Sequence, residues 1–383
     1  MPVRADVRPE LLAWACERSR IDADDLVHRF PKLLEWEQGI RLPTLKQLES
    51  FAHATHTPVG FLFLPEPPHE PVPIPDFRTI ADAGVRRPSA DLLDTIFLCQ
   101  QRQEWYRDFA QVTREDPVEA VGSLTLEASV GDAAQAMRAA LAFEDGQRGA
   151  TWSEGLRLLI ERAEELGILV MVSGVVGSNT HRKLDPHEFR GFALVDRLAP
   201  LVFINGADTK AAQIFTLAHE LAHLWLGQTA LSSADLLSVP AVAAERWCNQ
   251  VAAEFLMPVA ALAGGYDAEQ PLVDELERLA RRFKVSTLVV LRRLHDAGYL
   301  SRDAYRVAYR DELARILAIL DERGGAGGGN FYNTQPVRVS KRFARAVITS
   351  TLEGQTLHRD AYQLLGFKKH STFVELATRL GAD

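Results

Sequence analysis

The sequence predicts an α+β fold, mainly helical, with a small β-sheet packed on one buried helix and a separate helical domain at the N-terminus. Three observations carry this. Apolar residues recur at helical spacing through most of the chain. Between Ile168 and Ile204 the pattern changes to short β-branched runs divided by Gly, Asn, Asp and Pro, which read as strands. The run PEPPHEPVPIP over 65–75 holds six prolines and can only be an extended linker.

Taken in order, residues 1–64 read as short helices with bulky anchors: Leu11, Leu12, Trp14 and Ala15 in the first, and Leu45, Leu48, Phe51 and Ala52 in a later one. Residues 65–89 form the Pro-rich linker. Residues 90–150 are a helical connector with stripes from Leu92, Leu93, Ile96 and Phe97, then from Ala134 to Leu141. The span 151–320 opens with a helix (Leu156–Leu166) and continues with runs at 168–172, 192–195 and 201–204. A helix from Thr209 to Leu226 follows, with Asp208 placed to cap it and Gly227 to end it. Another, from about Ala241 to Leu256, stops before Pro258. Residues 321–335 are a Gly-rich hinge, and 336–383 a basic C-terminal subdomain with eight Lys/Arg against four Asp/Glu.

The chain has 383 residues, 47% hydrophobic and 25% charged, which suits a globular protein with a substantial core. Its formal net charge of −8 excludes a global attraction to nucleic acid. The start of the sequence lacks the apolar core of a signal peptide, and no apolar run is long enough to span a membrane, so no membrane partner is expected. Cys16, Cys99 and Cys248 are odd in number, scattered and without a CxxC pair. That argues against disulfides and a cysteine zinc site, and for a reducing cytoplasm.

The chemistry is concentrated in His219-Glu220-Leu221-Ala222-His223. Residues four apart on a helix differ by about 40° in azimuth, so both imidazoles leave one face and can grip one ion. Glu220 lies on the flank, placed as catalytic base for a metal-activated water. Two surface histidines on an amphipathic helix would be the bland alternative. The apolar company of Phe215, Leu217, Ala218, Leu221, Ala222, Leu224 and Trp225 argues for burial, where such groups need a cation as partner. A catalytic zinc needs a third protein ligand. Glu245 on the next helix is favoured, with Asn249 on the same face to orient a ligating histidine. Glu254 is the competitor, half a turn out of phase, and Cys248 is disfavoured. Tyr266, His187 and His295 are candidates for stabilising an oxyanion.

In FTLAHELAHLWLG (215–227) and ERWCNQVAAEFLMP (245–258) the chain resembles the ImmA/IrrE-type metallopeptidases. The Asn-x-x-Ala-Ala-Glu-x-Leu-Met-Pro pattern of the second segment is not demanded by zinc chemistry, so the resemblance is specific; it covers about residues 150–300. It implies one Zn²⁺ per chain held by His219, His223 and Glu245, with Glu220 as general base. It also implies a protein substrate, a DNA-binding helix-turn-helix repressor, whose cleavage relieves repression in stress responses or mobile elements.

Residues 10–64 are similar to a Cro/cI-type helix-turn-helix domain around Trp36-Glu37-Gln38-Gly39-Ile40-Arg41-Leu42-Pro43. The segment from Asp22 to Trp36 is about four residues too short for two helices and a turn, and Pro31 falls where a recognition helix belongs. Residues 1–64 also hold eight Lys/Arg against nine Asp/Glu. A module for dimerisation or docking is therefore expected ahead of DNA binding. Residues 276–294 invite a second helix-turn-helix reading and are expected instead to be a helical subdomain. Two functions compete: a zinc endopeptidase acting on a regulatory protein, and a transcriptional regulator or antitoxin-like protein with a non-proteolytic zinc domain. The intact Glu220 favours the first.

Overall fold

The computed structural model describes residues 3–76, 87–143, 148–232, 242–323 and 337–381, the side chains of 317–323 excepted. The chain divides into two units. The first comprises Met1–Pro73 with Gly84–Leu98, and the second Ile74–Ala83 with Cys99–Asp383.

Among the described residues the first unit includes the helices α1 (Pro9–Ser19), α2 (Ala23–Arg29), α3 (Leu33–Glu37) and α4 (Leu45–Ala54). They bury Leu11, Leu12, Trp14, Leu33, Trp36, Leu48 and Phe51. Leu45 belongs to the expected stripe but is exposed, as the first residue after the cap. Thr44 and Gln47 form a capping box, Gln47 N donating to Thr44 Oγ1 at 3.3 Å and Thr44 N to Gln47 Oε1 at 2.9 Å. Ahead of the Trp36-Glu37-Gln38-Gly39 turn, α2 stops at Arg29 and α3 has only five residues. Pro31 has no N–H for a continuing helix, so the chain turns there and restarts.

In the second unit the sheet has the order β1-β3-β2-β4, with β1 at Leu169–Ser173, β2 at Gly191–Leu194, β3 at Leu201–Asn205 and β4 at Ala230–Leu231. β1 pairs parallel with β3, while β2 runs antiparallel to both β3 and β4. The strands are buried on both faces, which is why their sequences are continuous apolar runs and not alternating ones. Val170, Val172, Ala193, Val202 and Ile204 share one core with the helices. The intervening Phe192 and Phe203 stack at 5.0 Å and turn to the opposite face, as the two-residue period requires. β4 went unforeseen because two residues carry no periodicity.

The core-side helices are α6 (Val130–Ala140), α7 (Trp152–Glu165), α8 (Lys210–Leu226) and α9 (Ala243–Leu256). They are joined by α10 (Leu272–Phe283) and α11 (Thr287–Asp296). Ile214, Leu217, Leu221 and Leu224 of α8 share one buried core with Met137 of α6, Val251 and Phe255 of α9, and Leu279 and Leu291 of the α10–α11 pair. The second helix-turn-helix-like segment is thus part of this core. The cap of α8 differs from expectation: Thr209 takes that place, accepting from Ala212 N at 3.3 Å. Asp208 instead accepts from Thr209 N at 2.7 Å and pairs with Arg190 at 3.3 Å. Gly227 ends the helix at φ 68°, and a Cβ there would stand 3.1 Å from Gly122 Cα.

The stretch expected as one helical connector is α5 (Ala90–Thr113) and α6, separated after Arg114, whose φ of 57° ends the first helix. Phe97 of the expected stripe is exposed. The Gly324–Gly329 run of the expected hinge lies outside the described residues. Beyond it, helices at Lys341–Leu352, His358–Leu365 and His370–Leu380 close the chain. Their basic residues are partly used internally. Arg342 donates to Glu115 at 2.6 Å and to Tyr106 Oη at 2.7 Å, and Lys341 pairs with Glu161 at 3.2 Å. Among the described residues no helix is long and apolar enough to cross a membrane.

Candidate metal centre

α8 is buried from Gln213 to Trp225, so every side chain in the motif faces protein. Its length and the four-residue spacing bring His219 and His223 together, with Nε2 atoms 3.1 Å apart. α9 packs alongside and delivers Glu245, buried at the first turn. Glu245 Oε2 lies 3.3 Å from His219 Nε2, and Oε1 lies 2.9 Å from His223 Nε2. The three ligand-type atoms fall within 4.8 Å of one another, and this is the one such group among the described residues.

The electrostatics show how unusual this arrangement is for bare side chains. Desolvation pushes the Glu220 pKa up to about 8, against smaller downward pulls from His219 and the Ser232 hydroxyl. Burial would raise Glu245, yet the charge and hydrogen bonds of His219 and His223 outweigh it, and its pKa is lowered. Burial depresses both histidines. For His219 the charge and hydrogen bond of Glu245, with help from Glu220 and Asn249, reverse the sign, whereas His223 stays lowered. Burial, then Glu245 and Glu220, raise the Cys248 pKa well above its usual value, and Cys248 is not in the His219, His223, Glu245 group.

Ser232 lies near Glu220 and Asn249 near His219, yet neither oxygen of Glu220, nor His219 Nδ1, Asn249 Oδ1 or Ser232 Oγ, reaches a partner with full hydrogen-bond geometry among the described residues. Buried polar groups ordinarily find partners, and an unsatisfied one costs about 1–3 kcal/mol. This cluster of unsatisfied groups beside convergent N, N and O donors fits a dication with three protein ligands and an open side.

Residues 163–295, from α7 to α11, match the family model described as IrrE N-terminal-like domain. This segment is an ImmA/IrrE-type domain. The family is of metallopeptidase type, and the matched span holds His219, Glu220, His223, Glu245 and Asn249. A second model, Domain of unknown function (DUF8813), matches residues 339–379, the three C-terminal helices. A search of curated proteins gave no match.

Within the ImmA/IrrE-type domain, Glu254 is engaged elsewhere. It pairs with Arg293 of α11 and accepts from Val259 N at 3.3 Å, fastening the end of α9. His295 is committed to the Leu300 carbonyl at 2.9 Å and stacks on Tyr305 at 4.9 Å. Tyr266 packs on Tyr299 at 4.9 Å. His187 N closes a turn onto Asp185 at 2.8 Å. None of the three is in the His219, His223, Glu245 group.

Sequence reasoning missed Ser232 and Gly191. Ser232 follows a strand too short to register, and its N–H reaches Gly191 O at 3.4 Å. A Cβ on Gly191 would lie 2.6 Å from Thr216 Cγ2, 2.7 Å from Phe203 O and 3.2 Å from Glu220 Oε1. β2 can therefore approach α8 only through a glycine. Gly191→Ala is expected to lower the melting temperature, at a cost of about 1–3 kcal/mol for overpacking, and to displace Glu220. Thermal melting checks the first effect; an unchanged midpoint would mean the sheet shifts freely.

Proposed function

We propose that the chain is a zinc-dependent endopeptidase that cleaves a regulatory protein of the helix-turn-helix repressor type. The observation that carries the reading is the convergence of His219, His223 and Glu245 next to a buried Glu220, neither oxygen of which reaches a partner with full hydrogen-bond geometry among the described residues. The three would hold the metal, Asn249 orienting His219 from behind. When bound, zinc polarises a carbonyl and makes water a nucleophile at neutral pH. Glu220 takes the proton of the attacking water and passes it to the leaving amine. Burial pushes the Glu220 pKa up to about 8. Positive charge among its neighbours favours the ionised form that a base requires. The repressor-type substrate rests on the family alone. A cytoplasmic location suits the free Cys16, Cys99 and Cys248.

The test is co-expression with the products of neighbouring genes, scored for cleavage by the parent chain and by Glu220→Gln. A small repressor cut only by the parent is expected. If the zinc-loaded parent cuts none of them, the substrate assignment is wrong.

A further inference from the structure

β4 is the edge strand of the sheet, yet its outer side is taken. Leu231 N donates to Pro75 O at 2.9 Å, and Asp76 forms a parallel bridge with Leu231. The segment doing this belongs to the proline-rich strap, and its Ile74 is buried. The covered edge lies at the candidate centre. Ser232 directly follows β4, and β2, paired to β4, runs so close that a Cβ on Gly191 would lie 3.2 Å from Glu220 Oε1.

An exposed strand edge is a template for another extended chain, which binds by main-chain hydrogen bonds. Building on the peptidase reading, we propose that the outer edge of β4 is where an extended polypeptide substrate pairs, and that residues 74–76 occupy it as an internal competitor. The composition of the strap fits that role. Pro71, Pro73 and Pro75 alternate along it, so at these positions it can accept hydrogen bonds but not donate them. Pro75 gives Leu231 its acceptor and offers no donor in return. A substrate strand without proline can use both groups of each residue and displace it. Ile74 is the buried side chain of the strap, and Pro73 and Pro75 beside it withhold donors that a proline-free strand would offer.

The test uses the full-length chain with Ile74→Asp and the milder Ile74→Ser. The readouts are amide hydrogen exchange at Leu231 and anisotropy of fluorescein-labelled, unfolded casein, measured in a Glu220→Gln background so that nothing is cut. Expected are at least a tenfold loss of Leu231 protection and at least fivefold tighter casein binding, with a matching rise in casein cleavage when Glu220 is present. Loss of protection with unchanged or weaker casein binding overturns the proposal. So does protection that survives both substitutions, since a strap not held by Ile74 is a fixed strand of the sheet. Tighter binding without cleavage by the Glu220 protein overturns the peptidase reading and leaves the competitor standing.

Discussion

Glu220→Gln is expected to abolish proteolysis while leaving metal content and melting temperature close to those of the parent. The amide has the same shape and cannot take a proton. Losing a general base typically costs about 10²–10⁴-fold in rate. The fold should tolerate the change well, because Glu220 is 0% exposed and the amide fills the same volume with the same shape. This sign separates a catalytic from a structural Glu220. A structural carboxylate would lose stability on substitution and leave the rate of the folded fraction unchanged. The measurement is single-turnover cleavage at equal zinc occupancy. Retained cleavage would show that another residue is the base.

A second large effect separates the two carboxylates of α9. Glu245→Ala removes an oxygen donor that lies 2.9 Å from His223 Nε2 and 3.3 Å from His219 Nε2. Its zinc affinity is expected to fall by more than the roughly 10–100-fold typical of losing an orienting neighbour. Glu254→Ala should leave zinc affinity nearly unchanged. It should instead destabilise the chain, by less than the about 3–5 kcal/mol of a wholly unpaired buried charge, because Arg293 keeps Asp296 at 3.7 Å and the Met257 carbonyl at 3.0 Å. Competition titration against a chromophoric chelator measures the first quantity, and denaturant unfolding the second. The reverse pattern would move the third ligand to Glu254.

The helix carrying the two histidines was legible because its signal is local: a four-residue spacing, an apolar surround and a terminal glycine. The three longer strands were legible as continuous β-branched runs. The edge of the sheet was not, since β4 is two residues long and is defined only by its pairing with β2 and with Asp76. Gly191 was equally silent, because its meaning lies in the distance to Phe203 O and Glu220 Oε1 across the fold. The cap of α8 went to Thr209 because the tertiary partner Arg190 draws Asp208 aside. The basic tail illustrates the same limit. Arg342 and Lys341 count as surface charge in the sequence, but they pair with Glu115 and Glu161, residues far away along the chain.

The central claim is that His219, His223 and Glu245 together hold one metal ion, and the most direct measurement is zinc content. Elemental analysis of the purified full-length protein should give about one zinc per chain, removed by a chelator and recovered on adding zinc back. Under the same conditions His219→Ala should bind little. A parent protein that takes up no zinc when it is supplied in excess, and that His219→Ala matches in metal content and melting temperature, would contradict the account.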